Sequence, residues 1–332
     1  MFERYLSQLA YAEVTTPRME ASLAFYKNIL GMEESGRHDG SVFLRGWGEH
    51  FFHSLQLTEG KQPSLVNIGW RAQGPEQLEA AVARIEHTGN GLGWAEPTPG
   101  RGKAYRYRGP GGHEHHLFWD VTRFAASAAD RALFPNRAQR FNPRGVAVRS
   151  IDHVTIATPD VVKDATWYAD TLGHRYMEET IADPAAGFGD TVVFGMTTVC
   201  ERAHDLGLVV DFSGARGRVN HIAYWVDQRE DLRRAADVLL DADIAIEFGP
   251  GRHGMGEQEY LYCREPSGLR IELNSGGYKN YEPDFKTVRW TPAQGSNVYY
   301  KNLQMPHSMH ESFPPVDMSA AKETMARTTL FV

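Results

Sequence analysis

The chain has 332 residues, 42% of them apolar and 23% charged, so it is long enough for two domains with their own cores and too hydrophobic to stay disordered. A net charge of −7 with no concentrated basic stripe argues against nucleic acid as a partner, and no apolar run reaches the roughly 18 residues that cross a bilayer. Met1-Phe2-Glu3-Arg4 lacks the basic and apolar regions of a secretory leader, and Cys200 and Cys263 stand in no paired spacing, so a cytoplasmic protein with free thiols and a small-molecule ligand is expected.

Along the chain, Leu9 to Pro17 reads as a strand with alternating apolar positions that stops at Thr16-Pro17. An amphipathic helix carrying Phe25-Tyr26 follows and ends at Leu30-Gly31. Val66-Asn67 opens a second strand, Pro75 to His87 forms a second helix, and Gly109-Pro110-Gly111-Gly112 makes a tight turn before a strand from His113 to Trp119. Residues 122–147 connect this half to a second copy of the same order. Ile151 to Pro159 lies over Leu9 to Pro17 at an offset of 142, and the same offset carries Phe25-Tyr26 onto Trp167-Tyr168 and Leu30-Gly31 onto Leu172-Gly173. Val219-Asn220, the helical stretch Arg229 to Asp241, and Glu265-Pro266-Ser267-Gly268 before Leu269 to Leu273 complete the copy. The chain therefore holds four βα units in two related halves. Beyond about residue 276 the periodicity fades, leaving an extended tail with one short helix expected from Ser319 to Arg327.

The second half concentrates groups able to do chemistry: His153 in its first strand, His204-Asp205, His221 in Arg-Val-Asn-His-Ile, His253 after Gly251-Arg252, then Tyr262 and Glu272. Two imidazoles and one carboxylate on three strands of a curved sheet can take one face of an octahedral metal and leave three positions open for substrate and O2. A single histidine in an apolar strand is more often a satisfied core residue, so the argument rests on the set.

The run Gly251-Arg252-His253, seven residues, Leu261-Tyr262, two residues, Glu265-Pro266-Ser267-Gly268, three residues, Glu272 resembles the extradiol ring-cleaving dioxygenases of the vicinal oxygen chelate superfamily at every fixed position of their pattern. The resemblance implies an α+β fold of four βαβββ modules paired into two domains, residues 1–140 and 148–280, each a curved mixed sheet forming a partly open barrel, with residues 281–332 as a tail. It also implies that His153, His221 and Glu272 bind Fe(II), with Mn(II) suiting the same ligands, and that His204, His253 and Tyr262 line the pocket for catechol and O2. In that chemistry His204 takes the catechol proton and returns it when the O–O bond breaks, while His253 and Tyr262 hold the catecholate. A homotetramer is the family's habit. Through the repeat, His153, His221 and Glu272 fall on Tyr11, Ile68 and His116, so the first half carries no ligand set and is expected to be structural. His113, His115 and His116 read as surface residues.

Family members that cleave homoprotocatechuate have a basic residue five positions before the pocket histidine, where this chain has Phe248. Their aromatic residue eight positions before the loop histidine falls on Met196, and their asparagine two after the first ligand falls on Thr155. Such a pocket suits an alkyl- or aryl-substituted catechol better than a carboxylated one, unless the tail brings in a base such as Lys301. Two rivals remain: a metal-dependent isomerase or lyase of the same superfamily, and a non-catalytic aromatic-binding protein.

Overall fold

The strand, Thr-Pro break and helix of each repeat become the start of a βαβββ unit in the computed structural model, which describes residues 4–141, 143–183, 187–300 and 302–316. The first unit is β1 (Leu6–Thr16), α1 (Met19–Ala24), β2 (Glu33–His38), β3 (Ser41–Arg45) and β4 (Leu55–Glu59). The second is β5 (Ser64–Ala72), α2 (Pro75–His87), β6 (Gly91–Ala95), β7 (Ala104–Arg108) and β8 (Glu114–Phe118). The third runs β9 (Ser150–Thr158), α3 (Val161–Leu172), β10 (Arg175–Ile181), β11 (Val192–Thr198) and β12 (Leu206–Val210). The fourth is β13 (Arg218–Trp225), α4 (Arg229–Asp241), β14 (Ile246–Arg252), β15 (Gln258–Arg264) and β16 (Arg270–Gly276).

The units pair into two mixed sheets with the same strand order. The first is β2-β3-β4-β1-β5-β8-β7-β6, and the second repeats it as β10-β11-β12-β9-β13-β16-β15-β14. A ninth strand, β17 (Val288–Trp290), joins the second sheet in parallel beside β10, so part of the expected tail belongs to the fold. Neither sheet closes into a barrel. Residues 122–147 hold no helix among those described and one isolated bridge, Arg123 to Phe51.

Local chemistry explains the repeated helix. Asp160 after the Thr-Pro break accepts from the Lys163 N–H at 3.0 Å, and Gly173 closes α3 at φ 70°, a conformation that costs glycine little. The first copy lacks this cap, and its Phe25-Tyr26 pair leaves α1 for a π turn, Phe25–Ile29, closed by Leu30 N–H onto Phe25 O at 3.0 Å.

The histidine cluster of β8 is not on the surface. His113, His115 and His116 are 2%, 0% and 8% exposed. His113 Nε2 donates to the Arg218 carbonyl at 2.7 Å, and Trp70 Nε1 donates to His115 Nδ1 at 3.0 Å, leaving His115 Nε2–H for Tyr168 Oη at 2.8 Å. His113 and His115 are staples between the halves, whereas His116 meets Tyr11 and Arg101 of its own half.

The segment after β17 returns as a strap across the second sheet. Phe313 exchanges both backbone bonds with Val219, at 2.8 and 2.7 Å. Fully buried Arg270 donates to the carbonyls of Asn220, Ser308 and Glu311, and buried Arg218 to those of Ser312 and Pro314. The expected helix from Ser319 to Arg327 and the candidate base Lys301 lie outside the described residues. Among those described, no helix is long and apolar enough to cross a membrane.

Candidate metal centre

Strands β9, β13 and β16 are neighbours, and Ala223 of β13 stands opposite both His153 on β9 and Glu272 on β16. His221 lies two residues before Ala223 and so on the same face of its strand. The small Ala223 leaves room between the three larger groups. His153 Nε2 lies 3.1 Å from His221 Nε2, and Glu272 Oε2 lies 3.1 and 3.0 Å from those two nitrogens. All three residues are buried.

These spacings fit a metal. Adjacent ligands of an octahedral ion with bonds of about 2.1 Å stand about 3.0 Å apart. The tautomers agree as well. His153 Nδ1 faces the Asp152 carboxylate at 2.9 Å and His221 Nδ1 faces the Asn220 side-chain oxygen at 2.7 Å, so each ring keeps its proton there and turns a bare Nε2 inward. Glu272 Oε2, buried between them, makes no hydrogen bond. Three lone pairs thus converge, an arrangement that calls for a cation. The same field acts on protons. Before a metal binds, a proton competes for the same place: burial opposes charge on His153, but Glu272 and Asp152 outweigh it and carry the imidazole up to about 9, whereas burial takes His221 down to about 4.

The other sequence candidates surround this triad. His204, between β11 and β12, is 5% exposed and lies with its ring centroid 3.9 Å from that of His153; its Nδ1 has no partner. Burial, then the nearby His153, hold it well below its ordinary range, so it is a neutral imidazole. His253 donates from Nδ1 to the Asn297 carbonyl at 2.6 Å, which leaves Nε2 to accept from Tyr262 Oη–H at 3.1 Å. Tyr260 stacks on His253 with centroids 4.0 Å apart.

The triad forms one wall of a cavity of about 680 Å³, its open mouth included. Met196 and Phe248 line it. Thr155 does not; its hydroxyl packs on the backbone of Gly207, where any added side chain would clash. Sequence reasoning missed Phe194, Val209 and Met255, and also Met305, Met309 and His310 from the strap. Nothing local in the sequence marks the strap residues, because they reach the site only through the anchors at Val219, Arg218 and Arg270. No lysine or arginine lines the cavity among the described residues, and burial lowers His310 to about 4, leaving it uncharged.

In the first half the equivalent place is filled by protein. Tyr11 Oη lies 3.1 Å from His116 Nδ1, and the Arg101 guanidinium approaches both, at 3.3 and 3.4 Å. Ile68 offers no ligand there, so a fixed cation stands where the other half gathers lone pairs.

Residues 8–117 and 150–273 match the Glyoxalase/Bleomycin resistance protein/Dioxygenase superfamily. The chain belongs to that superfamily. Among its relatives in the superfamily is the manganese-dependent 2,3-dihydroxybiphenyl 1,2-dioxygenase of Geobacillus genomosp. 3, 35% identical over 86% of this chain and 90% of that protein. The metapyrocatechase of Geobacillus stearothermophilus is 32% identical over 86% of each. The superfamily fold is shared with the substrate complex of homoprotocatechuate 2,3-dioxygenase from Brevibacterium fuscum, at a TM-score of 0.80 and 24% identity over 94% of this chain and 96% of that one.

Proposed function

We propose that the chain is an extradiol dioxygenase that inserts both atoms of O2 into a catechol ring beside the diol, with His153, His221 and Glu272 holding one Fe(II) or Mn(II). The observation that carries this reading is the convergence of three bare ligand atoms, 3.0 to 3.1 Å apart, on a largely apolar cavity beside His204 and the His253–Tyr262 pair. The metal supplies Lewis acidity toward the catechol oxygens and a binding place for O2. Neutral His204 is suited to accept a hydroxyl proton as the catechol binds and to return it to the oxygen that leaves when the O–O bond breaks. Tyr262 offers a hydroxyl whose direction is set by His253, itself fixed by the Asn297 carbonyl. An isomerase or lyase would have no use for this pair.

The lining of Phe194, Met196, Val209, Phe248, Met305 and Met309, without a counter-charge, favours catechols with a neutral alkyl or aryl substituent. Two free cysteines suit a reducing cytoplasm, and a homotetramer is the assembly we expect from the family resemblance. Enzyme reconstituted anaerobically with Fe(II) or Mn(II), then mixed in air with a panel of catechols, should form yellow ring-opened products. His153→Ala, His221→Ala and Glu272→Ala should each lose metal and activity, while His116→Ala keeps its metal. Stoichiometric metal in all three ligand variants would refute the assignment.

A further inference from the structure

A second cavity, about 1250 Å³ with its open mouth, lies between the two halves and away from the metal ligands. It is built around the repeat: an offset of 151 carries His53 onto His204 and Leu55 onto Leu206, so His53 is the first half's counterpart of the proposed acid–base histidine. His53 lines this crevice, is 4% exposed, and neither ring nitrogen has a partner. Leaving an imidazole both buried and unbonded is costly. Burial and then Arg101 push it down to about 3, so it is neutral and has one N–H to donate.

The charges around the crevice sort into spent and unspent. Glu49 accepts from the Gly46 and Ile151 N–H groups and the Ser54 hydroxyl at 2.6 to 2.7 Å. Asp205 accepts from Thr198 Oγ1 and the Val199 N–H, at 2.9 and 2.8 Å. Arg149 is paired with Asp227, Arg202 with Asp152, and Glu201 with Lys279 at 4.0 Å. Arg71 and Arg123 have no carboxylate partner among the described residues, although Asp120 lies close enough to influence Arg71. Arg71 spends only Nε, on the Trp119 carbonyl at 3.2 Å. Both guanidiniums lie over one ring, that of Phe51, at 5.5 and 5.9 Å from its centroid, Arg71 also lies 4.4 Å over Trp119, and burial followed by the nearby Arg123 charge lowers Arg71. Two guanidiniums with no carboxylate in ion-pair distance among the described residues, in a crevice lined also by Phe51 and the His53 ring, match a carboxylate carried on a flat apolar body.

We propose that this crevice is a second ligand site, separate from the metal centre, for a small aromatic or unsaturated carboxylate held by Arg71 and Arg123 beside the His53 ring. The site stands whether or not the catechol reading of the metal centre is correct.

The probe is benzoate, titrated calorimetrically into the metal-loaded enzyme. Saturable one-to-one binding is expected, with benzamide, the neutral isostere, at least about tenfold weaker because it forfeits the charge-assisted bonds. Arg123→Met, a change at an exposed side chain that leaves the core alone, should weaken benzoate about tenfold, and Arg71→Met/Arg123→Met should abolish it. His221→Ala, which disables the metal triad, should bind benzoate as the wild type does. Equal affinity for benzamide, full binding by folded Arg123→Met, or loss of binding in His221→Ala would each overturn the proposal, the last by placing the carboxylate on the metal.

Discussion

Asp152→Asn tests how the protein holds its metal from outside the ligand set. One oxygen of Asp152 collects His153 Nδ1 at 2.9 Å, Gln258 Nε2 at 2.9 Å and Asn274 Nδ2 at 2.7 Å, and the other takes Arg202 Nη1 at 3.2 Å. The substitution preserves shape but leaves one acceptor oxygen for four donors, so its amide must face either Arg202 or the His153 cluster donor to donor. It also removes the negative charge behind His153. Loss of such a partner costs about 10- to 100-fold in metal affinity, equivalent to about 1.4 to 2.7 kcal/mol. Because Asp152 is charged and only 4% exposed, its loss should fall near the upper figure. Asn220→Ala, which removes a neutral acceptor 2.7 Å from His221, should fall near the lower one. Competition for Fe(II) or Mn(II) against a coloured chelator reads the affinity without relying on turnover, and circular dichroism checks the fold. A folded Asp152→Asn enzyme within about twofold of wild type would refute the reasoning, as would a larger loss in Asn220→Ala.

His204→Ala should retain its metal and lose about 10²- to 10⁴-fold in ring-opening rate, because its task is moving a proton; stopped-flow spectra after anaerobic catechol loading and mixing with O2 measure this, and loss of metal would place His204 among the ligands. Phe248→Arg should narrow the advantage in kcat/KM of a 4-alkylcatechol over 3,4-dihydroxyphenylacetate, and an unchanged ratio would show that residue 248 does not meet the substituent. Glu247 gives a pH test of the strap. Burial would raise its carboxyl, but Arg270 and Arg264 outweigh burial and hold it at about 2. A depressed folded value means that its stabilisation is complete above the unfolded value near 4.5 and is lost as pH falls toward 2. Glu247→Gln should therefore flatten the acid-unfolding curve between those limits while lowering stability at neutral pH.

Much of this protein was determined locally in its sequence. The duplicated strand–break–helix signal reports its own periodicity and turn chemistry, so four modules with two matching sheets follow from residues such as Thr158-Pro159, Asp160 and Gly173. The convergence of the proposed ligands has a related reason: His153, His221 and Glu272 each lie on a strand, where alternation decides which face a side chain takes, and only three neighbouring strands are needed to join them. Tertiary structure decided what depends on contacts between distant elements. His113, His115 and His116 look like surface polar residues until the fold buries them, with Arg218 and Tyr168 of the second half meeting His113 and His115, and Tyr11 and Arg101 of the first half meeting His116. Thr155 shares its strand with His153, yet its hydroxyl packs on Gly207 of β12 and it does not line the cavity. The shape of the pocket depends on a strap more than eighty residues from His221 in sequence, held by Arg218 and Arg270 through backbone carbonyls. Carbonyls are present at every residue, so hydrogen bonds to them leave no mark in sequence, and only packing of the folded chain selects which ones Arg218 and Arg270 meet.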